Sequence, residues 1–114
     1  MPATLPAHLS PAVQAALAEA SEALRELYGA RLLRLVLYGS QARGEAHDES
    51  DVDVLVVLDG PVDSYEESEP LARLTGRLFD RHGLWFSLMP FQEAAFRDGR
   101  RPLVMNVHQD GIEL

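Results

Sequence analysis

The sequence contains no cysteine and no lysine, and it has no long apolar run. Without cysteine there can be no disulfide framework and no thiolate metal site, which suits a cytoplasmic protein. No segment approaches the roughly 20 apolar residues that cross a bilayer. The start of the chain, MPATLPAHLSP, also lacks the basic and apolar regions of a signal peptide. We therefore expect a cytoplasmic protein with no membrane partner.

Positive charge is also scarce. Ten basic residues, all arginine, face 18 acidic ones, and the formal net charge is -8. From Glu45 to Glu69 there are ten acidic residues and no Lys or Arg. Such a stretch repels phosphate backbones, because nucleic-acid binding depends on clustered Lys and Arg that release counterions. We expect no direct nucleic-acid partner.

Length and composition favour one ordered domain. The 114 residues are enough for one modest core and too few for two, so we predict a single domain over residues 1–114. The hydrophobic fraction of 46% and the charged fraction of 25% are typical of globular proteins. We find no internal repeat and no low-complexity tract.

The first half of the chain predicts a helix, a strand, a short helix and a second strand. Ser10-Pro11 is a helix start, and an apolar stripe follows at spacings of three and four until Gly29; its members are Val13, Leu17, Ala20, Leu24 and Leu27. A strand is predicted over 31–38 and a short helix over 40–43. A polar loop over 44–50 leads to a strand over 52–58, which is apolar on both faces and so central in a sheet.

The second half predicts a helix, a strand and further helical turns. The acidic segment through Pro70 is predicted to be an exposed connection into a helix that ends at Gly83 and buries Leu71, Leu74, Leu78 and Phe79. A third strand over 84–89 is stopped by Pro90, and helical turns follow over 91–96 and 103–107. The alternation indicates an α/β (α+β) fold whose sheet is covered by helices on at least one face. The periodicity of the apolar residues does not show whether the strands run parallel or mixed.

The chemistry is predicted to lie between Leu35 and Leu58. Gly39 and Ser40 follow the first strand directly, where a glycine and a helix start can present backbone amides to a phosphate. Ser40 adds a hydroxyl donor. An ordinary turn is the alternative for these two residues taken alone.

Asp51 and Asp53 stand two residues apart at the start of the second strand, so their side chains leave the same face and can converge on one cation. Two carboxylates this close disfavour each other unless a cation neutralises them. Oxygen ligands without cysteine indicate Mg²⁺ or Mn²⁺. The alternative makes Asp51 a loop cap and Asp53 part of a solvated strand face, which the apolar run after Asp53 opposes.

Two further residues of this stretch are candidates. Arg43 could reach a triphosphate or pair with nearby acids, and the sequence does not separate these interpretations. His47 is interpreted as a solvated loop residue rather than a nucleotide ligand.

At these residues the sequence resembles the minimal nucleotidyltransferase (MNT) branch of the DNA polymerase beta-like nucleotidyltransferases. The resemblance rests on Gly39-Ser40, ten intervening residues and then Asp51-Val52-Asp53, with matching surroundings at Ala42-Arg43-Gly44 and Ser50. It implies a small single-domain nucleotidyltransferase fold with a short mixed sheet. It also implies transfer of AMP, or another nucleoside monophosphate, from Mg²⁺-bound ATP or another NTP to a hydroxyl.

The resemblance further assigns the site. Gly39 and Ser40, with Arg43 as a further nucleotide contact, would bind the phosphates, and Asp51 and Asp53 would be the catalytic residues that hold the metal. Small MNT proteins resemble antitoxins that modify a tyrosine on a HEPN-domain toxin, so a HEPN-like partner is implied. An oligomer is compatible with the sequence.

One position departs from the family pattern. A third carboxylate is expected on the strand after the long helix, and Ser87 stands there instead. Glu93 or Asp98 could replace it only by folding back past Pro90. The alternative to transfer is therefore a catalytically impaired subunit that neutralises a toxin by contact. Modification of a small molecule such as an aminoglycoside is a weaker alternative, because family members that do this usually carry an additional domain for the acceptor.

Overall fold

The computed structural model of the protein describes residues 5–46 and 51–114. Along the chain it has helix α1, strand β1, helix α2, strand β2, helix α3, strand β3, helices α4 and α5, and strand β4. Their bounds are Pro11–Tyr28, Leu32–Tyr38, Gly39–Arg43, Val52–Leu58, Ser64–His82, Phe86–Gln92, Glu93–Asp98, Pro102–Asp110 and Ile112–Glu113. The predicted order is therefore correct, and the strand β4 was missed.

The four strands form one mixed sheet in the order β3-β2-β1-β4. Strand β1 runs antiparallel to both of its neighbours, β2 and β4, whereas β3 runs parallel to β2. Strand β2 is interior to the sheet and is buried at Val52 and from Val54 to Leu58, as its apolar run predicts. The α/β (α+β) class with a short mixed sheet covered by helices is confirmed.

Each face of the sheet carries its own apolar cluster, because side chains alternate along a strand. Helices α1 and α3 pack on the first face, with Leu35 and Leu37 of β1 and Val54 and Val56 of β2. Helices α4 and α5 pack on the second face, against Val36, Leu55 and Val57, and contribute three buried residues of their own: Phe96, Val104 and Val107. The second cluster is smaller, so that face is only partly covered by helices.

Helix α1 begins and ends as predicted. The Ser10 hydroxyl accepts a hydrogen bond from the Val13 amide at 3.2 Å, and Gly29 follows the last turn with φ of +53°. Two predicted core positions were wrong: Leu27 is 45% exposed and Phe79 is 47% exposed. Tyr28 is buried in the turn where Leu27 was expected, because the apolar stripe shifts by one residue at the helix end.

The acidic segment before Pro70 is helical, which corrects the prediction of an exposed connection. Asp63 starts α3 by accepting amide hydrogen bonds from Tyr65 at 2.9 Å and from Glu66 at 3.4 Å. Glu66 and Glu67 lie in the first turn, where acidic side chains interact favourably with the helix dipole. Pro70 is half-buried and removes the amide that would bond the Glu66 carbonyl, so the helix lacks one internal hydrogen bond there.

Strand β3 starts two residues later than predicted and continues through Pro90, which corrects the predicted stop. The Trp85 carbonyl accepts from the Val52 amide at 2.9 Å, so the odd-numbered residues of β3 bond to β2 and the even-numbered ones face away from it. Pro90 therefore occupies a position on the free edge, where its missing amide costs no ladder hydrogen bond.

Within residues 5–46 and 51–114, no helix is both long and apolar enough to cross a bilayer.

Candidate active site

Three side chains meet where β1 ends and β2 and β3 begin. Asp53 is paired across the antiparallel ladder with Tyr38 and across the parallel ladder with Ser87. All three lie on the second face of the sheet, since Asp53 alternates with Val52 and Val54 of the first cluster. The chemistry-bearing residues are therefore on the face away from α1 and α3.

Gly39 is in direct contact with Asp53. Its φ is +76°, a conformation that side chains other than glycine's rarely adopt, and a Cβ built on it would lie on top of the Asp53 Oδ2 atom. The structure thus brings the predicted phosphate turn and one predicted metal ligand together. Only a residue without a Cβ allows the turn backbone and the carboxylate to approach this closely.

Helix α2 is a single short turn that begins at Gly39. Tyr38 precedes it and supplies no side-chain cap, so the amides of the first turn lack both an intrahelical and a capping partner. The turn is closed by Gly44 at φ of +73° and by a hydrogen bond from the Glu45 amide to the Ser40 carbonyl at 2.9 Å. The amide of Ser40, the residue after Gly39, belongs to this first turn. Phosphate binding by these two residues stays a prediction.

His8 holds α2 from outside, and sequence reasoning missed it. Its Nε2 atom lies 2.8 Å from the Gln41 carbonyl oxygen, and Gln41 and Ala42 are both buried. The contact joins residues 33 positions apart, so neither spacing nor periodicity could have indicated it. His8 is a positioning residue for the turn.

The negative charge of Asp51 acts on Asp53, as expected for two carboxylates that lie close together. Partial burial raises the pKa of Asp53, the negative charge of Asp51 raises it further, and the Arg43 guanidinium lowers it. Burial also raises the pKa of Tyr38, and the charge of Asp53 adds to that effect. Asp53 is therefore a carboxylate that gains from a nearby cation.

Arg43 interacts with nearby acids, which is one of the two interpretations that the sequence left open; its contact with a triphosphate stays a prediction. Its Nε atom lies 3.4 Å from Glu45 Oε1, while its guanidinium charge also acts on Asp53. The side chain keeps 39% of its surface exposed. It is thus placed beside the carboxylate pair, and its ion pair with Glu45 is partly exposed and therefore a weak restraint.

The carboxylates of Asp51 and Asp53 fit a hard divalent cation whose coordination a bound molecule helps to complete. Two carboxylate side chains supply oxygen donors, which Mg²⁺ and Mn²⁺ prefer. Within residues 5–46 and 51–114 no group of three or more His, Cys, Asp or Glu side chains could hold a metal ion by itself. A cation here would need further oxygens, and the phosphates of a nucleotide are a matching source.

The two distant acids offered as a replacement third carboxylate are engaged elsewhere. Glu93 pairs with Arg97 at 3.2 Å and Asp98 pairs with Arg100 at 2.7 Å. Ser87 is the β3 residue that lies beside Asp53. The prediction for His47 falls outside the described residues.

The chain resembles known proteins over most of its length. The family model described as the nucleotidyltransferase domain matches residues 17–90, a range that contains Gly39, Ser40, Asp51, Asp53 and Ser87. A protein of Methanocaldococcus jannaschii described as a protein adenylyltransferase is 43% identical over 44 residues, which is 39% of this chain and 44% of that protein. The chain thus matches less than half the length of this curated relative.

Two solved structures show the same fold. A structure described as a minimal nucleotidyltransferase is 28% identical, with a TM-score of 0.59, over 96% of this chain and 100% of that one. The complex of a tri-AMPylated HEPN toxin with its MNT antitoxin from Shewanella oneidensis contains a chain that is 18% identical, with a TM-score of 0.57, over 88% of this chain and 69% of that one. At that identity the second likeness concerns the fold alone.

Proposed function

The chain belongs to the nucleotidyltransferase domain family, and on that premise we propose that it transfers AMP from Mg²⁺-bound ATP to a hydroxyl on a protein partner. The observation that carries the proposal is the approach of Asp53 to Gly39. It joins a phosphate-sized turn and a carboxylate pair at the ends of two neighbouring strands.

Each predicted site residue has a role in this proposal. The amides of Gly39 and Ser40 and the Ser40 hydroxyl bind phosphate oxygens. Arg43 neutralises phosphate charge from the side, where its present partner Glu45 leaves it partly exposed. Asp51 and Asp53 hold a divalent cation, Mg²⁺ or Mn²⁺, which when bound neutralises charge on the triphosphate.

The reaction is one displacement at phosphorus. The acceptor oxygen attacks the α-phosphorus of ATP and forms a new P–O bond, the bond from that phosphorus to the bridging oxygen breaks, and pyrophosphate leaves. The hydroxyl proton passes to water. Positioning and charge neutralisation supply most of the acceleration in phosphoryl transfer, and those are the tasks that the described residues perform.

A HEPN-type protein is the partner that we propose. Two observations support it: the fold is shared with the antitoxin chain of the Shewanella complex, and the relative with 43% local identity is described as a protein adenylyltransferase. The acidic stretch from Glu45 to Glu69 also suits a basic, RNA-cleaving partner.

The test is incubation of the protein with Mg-ATP and a HEPN-type protein encoded next to it, followed by mass spectrometry of that partner. We expect a mass increase of one or more AMP groups that is lost in Asp53→Asn. Asp59→Asn is the matched control, because Asp59 is exposed at the opposite end of β2. An unmodified partner in the presence of the native protein would contradict AMP transfer.

A second candidate function is neutralisation of the partner by contact, without transfer. The observation that favours it is Ser87 beside Asp53, since a hydroxyl is a much weaker ligand for a second cation than a carboxylate. In that case Asp51→Asn combined with Asp53→Asn still suppresses the partner's toxicity. Loss of suppression with an intact complex would rule it out.

The variant Ser87→Asp is a second way to distinguish AMP transfer from neutralisation by contact. The variant places a third carboxylate next to Asp53, so a site limited by its second cation gains activity, by roughly tenfold or more. Ser87→Asn is the control of similar size without the charge. A site that acts only by contact shows no transfer in either variant.

A further inference from the structure

A short segment ahead of α1, residues 5–9, is folded against the body of the protein. Leu9 is 3% exposed and belongs to the apolar cluster on the first face of the sheet. The Leu9 amide donates to the Pro6 carbonyl at 3.2 Å, and the Gln14 side-chain amide donates to the Leu9 carbonyl at 2.8 Å. We call residues 5–9 the N-terminal strap. These contacts fix the direction in which the His8 side chain leaves it.

His8 reaches from the strap to helix α2. Its Nε2 atom lies 2.8 Å from the carbonyl oxygen of Gln41, and Nε2 carries the hydrogen, because a carbonyl oxygen can only accept. The same carbonyl accepts a longer bond from the Gly44 amide, at 3.4 Å. The His8 ring also lies beside Gly44, since a Cβ built there would be 3.7 Å from it. His8 therefore donates the shorter of these two hydrogen bonds to the last turn of α2.

Helix α2 depends on such contacts from outside. It has five residues, whereas isolated helices shorter than about 12 residues are marginal in water. Its other end is Gly39, whose close approach to Asp53 brings the proposed nucleotide site together. Gln41 is buried and follows Gly39 by two residues. A contact that fixes Gln41 therefore also restrains the turn of Gly39 and Ser40 relative to Asp53.

The order of this turn affects how strongly it binds. A turn that must be ordered when its ligand binds loses part of the binding free energy to that ordering, and a turn that is already held in place does not. His8 acts at the far end of α2, so its contribution is to the order of the turn and not to the contacts with the ligand.

We propose that the N-terminal strap, through the hydrogen bond from His8 to Gln41, holds Gly39 and Ser40 in their phosphate-binding position, so that the strap and a bound triphosphate stabilise each other. His8 is a positioning residue in this account. The inference rests on the proposed function, because it takes Gly39 and Ser40 as the phosphate contacts. It adds a second segment of the chain that controls their affinity. Such coupling is reciprocal, so it can be measured at the site and at the strap.

Two substitutions separate the hydrogen bond from the ring. His8→Phe keeps an aromatic ring and removes the donor, whereas His8→Gln keeps an N–H donor. We expect the Kd for Mg-ATP to rise about two- to fivefold in His8→Phe, because one hydrogen bond at an exposed residue is lost. Most of that loss should be recovered in His8→Gln. Isothermal titration calorimetry measures both, and equal affinities of the native protein and His8→Phe would overturn the proposal.

Ser10→Ala is the control for a loss of stability alone. The Ser10 hydroxyl accepts from the Val13 amide at 3.2 Å, so this change removes the cap of α1 and leaves the contact between His8 and Gln41 in place. We expect it to lower the urea midpoint at least as much as His8→Phe and to leave the Kd for Mg-ATP unchanged. A Kd raised equally by the two changes would refute a positioning role.

Inorganic tripolyphosphate tests which part of the nucleotide is affected. It has no base and no ribose, so in the presence of Mg²⁺ its Kd should rise in His8→Phe by the same factor as the Kd for Mg-ATP. A rise confined to Mg-ATP would mean that His8 acts on the base or the ribose, and the proposal would then be wrong.

The strap should respond to the nucleotide in turn. Saturating Mg-ATP should slow amide hydrogen exchange in residues 5–9 severalfold, because local opening of the strap then also weakens the bound ligand. The slowing should be smaller in His8→Phe. Mass spectrometry of the N-terminal peptide measures the exchange. Identical exchange with and without Mg-ATP would contradict the coupling.

Failure of this inference can be told from failure of the proposed function. If the native protein binds neither Mg-ATP nor tripolyphosphate, the proposed function fails and the inference falls with it. If it binds both and His8→Phe binds them equally well, only the inference fails. In the transfer reaction, His8→Phe should raise the KM for Mg-ATP and leave the KM for the acceptor protein unchanged. The reverse pattern would also overturn the inference.

Discussion

Asp53 shows how a single side chain links the stability of the protein to the ligand that we propose. Its carboxylate is partly buried, lies against Gly39 and shares its surroundings with Asp51. Both burial and the neighbouring charge disfavour the ionised form. Without a cation, the ionised residue therefore opposes folding, and a bound cation removes that cost.

We predict that Asp53→Asn stabilises the metal-free protein at neutral pH. The raised pKa of Asp53 means that the folded state prefers the protonated form, so stability is full below the unfolded pKa of about 3.9 and falls as pH rises through the folded pKa. The gain should be below about 1 kcal/mol, because the side chain is partly exposed and solvent screens it. Urea unfolding from pH 3 to pH 8 measures it.

Asp59→Asn is the control for that comparison, as an exposed residue at the far end of the same strand. Its free energy of unfolding should match that of the native protein at every pH. Added Mg²⁺ should stabilise the native protein more than Asp53→Asn. A lower stability of Asp53→Asn at neutral pH would contradict this account of the site.

Gly39→Ala should lower the free energy of unfolding for two reasons, and the same substitution at another glycine distinguishes them. Alanine at positive φ costs about 1 to 2 kcal/mol, and at position 39 its Cβ also displaces the Asp53 carboxylate. Gly83→Ala is the control, because Gly83 has φ of +68° and no atom within 4 Å of an added Cβ. Urea midpoints should show a larger loss for Gly39→Ala.

The double variant Gly39→Ala with Asp53→Ala tests the steric half of that argument. Removing the carboxylate should recover the part of the loss that exceeds the cost measured for Gly83→Ala. Equal losses for the two glycine variants would show that the turn and the carboxylate do not touch.

Among the elements, the start of α3 shows where sequence patterns fail. The segment from Ser64 to Pro70 has few apolar residues and one proline, so it reads as an exposed connection, yet it forms the first turns of a helix. The Asp63 cap and the acidic first turn stabilise it locally. Hydrophobic periodicity does not register such contributions, because they come from hydrogen bonds and the helix dipole.

We predict that Asp63→Ala lowers the free energy of unfolding by about 1 kcal/mol, since it leaves the Tyr65 and Glu66 amides without their acceptor. Asp80→Ala is the control: it is exposed near the end of the same helix, where loss of a negative charge is neutral or slightly favourable. Circular dichroism during urea unfolding measures both. Equal destabilisation by the two changes would contradict the capping role.

The strands could be predicted in proportion to how regular they are. Strands β1 and β2 have clear apolar patterns, and both were found with nearly correct bounds. Strand β3 was cut short at Pro90, because a sequence pattern does not show which side of the strand is a free edge. Strand β4 has only two residues and is too short for any periodicity.

For the whole molecule, the sheet separates the larger core from the chemistry. Helices α1 and α3 bury the first face, and Tyr38, Asp53 and Ser87 meet at one end of the second. Substitutions at that end can therefore change binding without emptying the larger cluster. For a variant at that end, the change in the free energy of unfolding and the change in ligand affinity can therefore be measured separately.

The candidate site was predictable where it is local in sequence. Gly39, Ser40, Asp51 and Asp53 stand out because two adjacent apolar strands flank them, and the structure brings Gly39 against Asp53. The contact of His8 with Gln41 depends on tertiary packing and could not be predicted. Ser87 was located through the family resemblance, whereas its pairing with Asp53 depends on the direction and register of β3, which periodicity does not give.

The most direct test of the central claim is the binding of Mg-ATP to the protein, measured by isothermal titration calorimetry. The account predicts a single site with a Kd of about 1 μM to 1 mM, the usual range for enzyme substrates. Binding should be lost when Asp51→Asn and Asp53→Asn are combined and kept in Asp59→Asn. Binding of equal strength in the native protein and the double variant would contradict it.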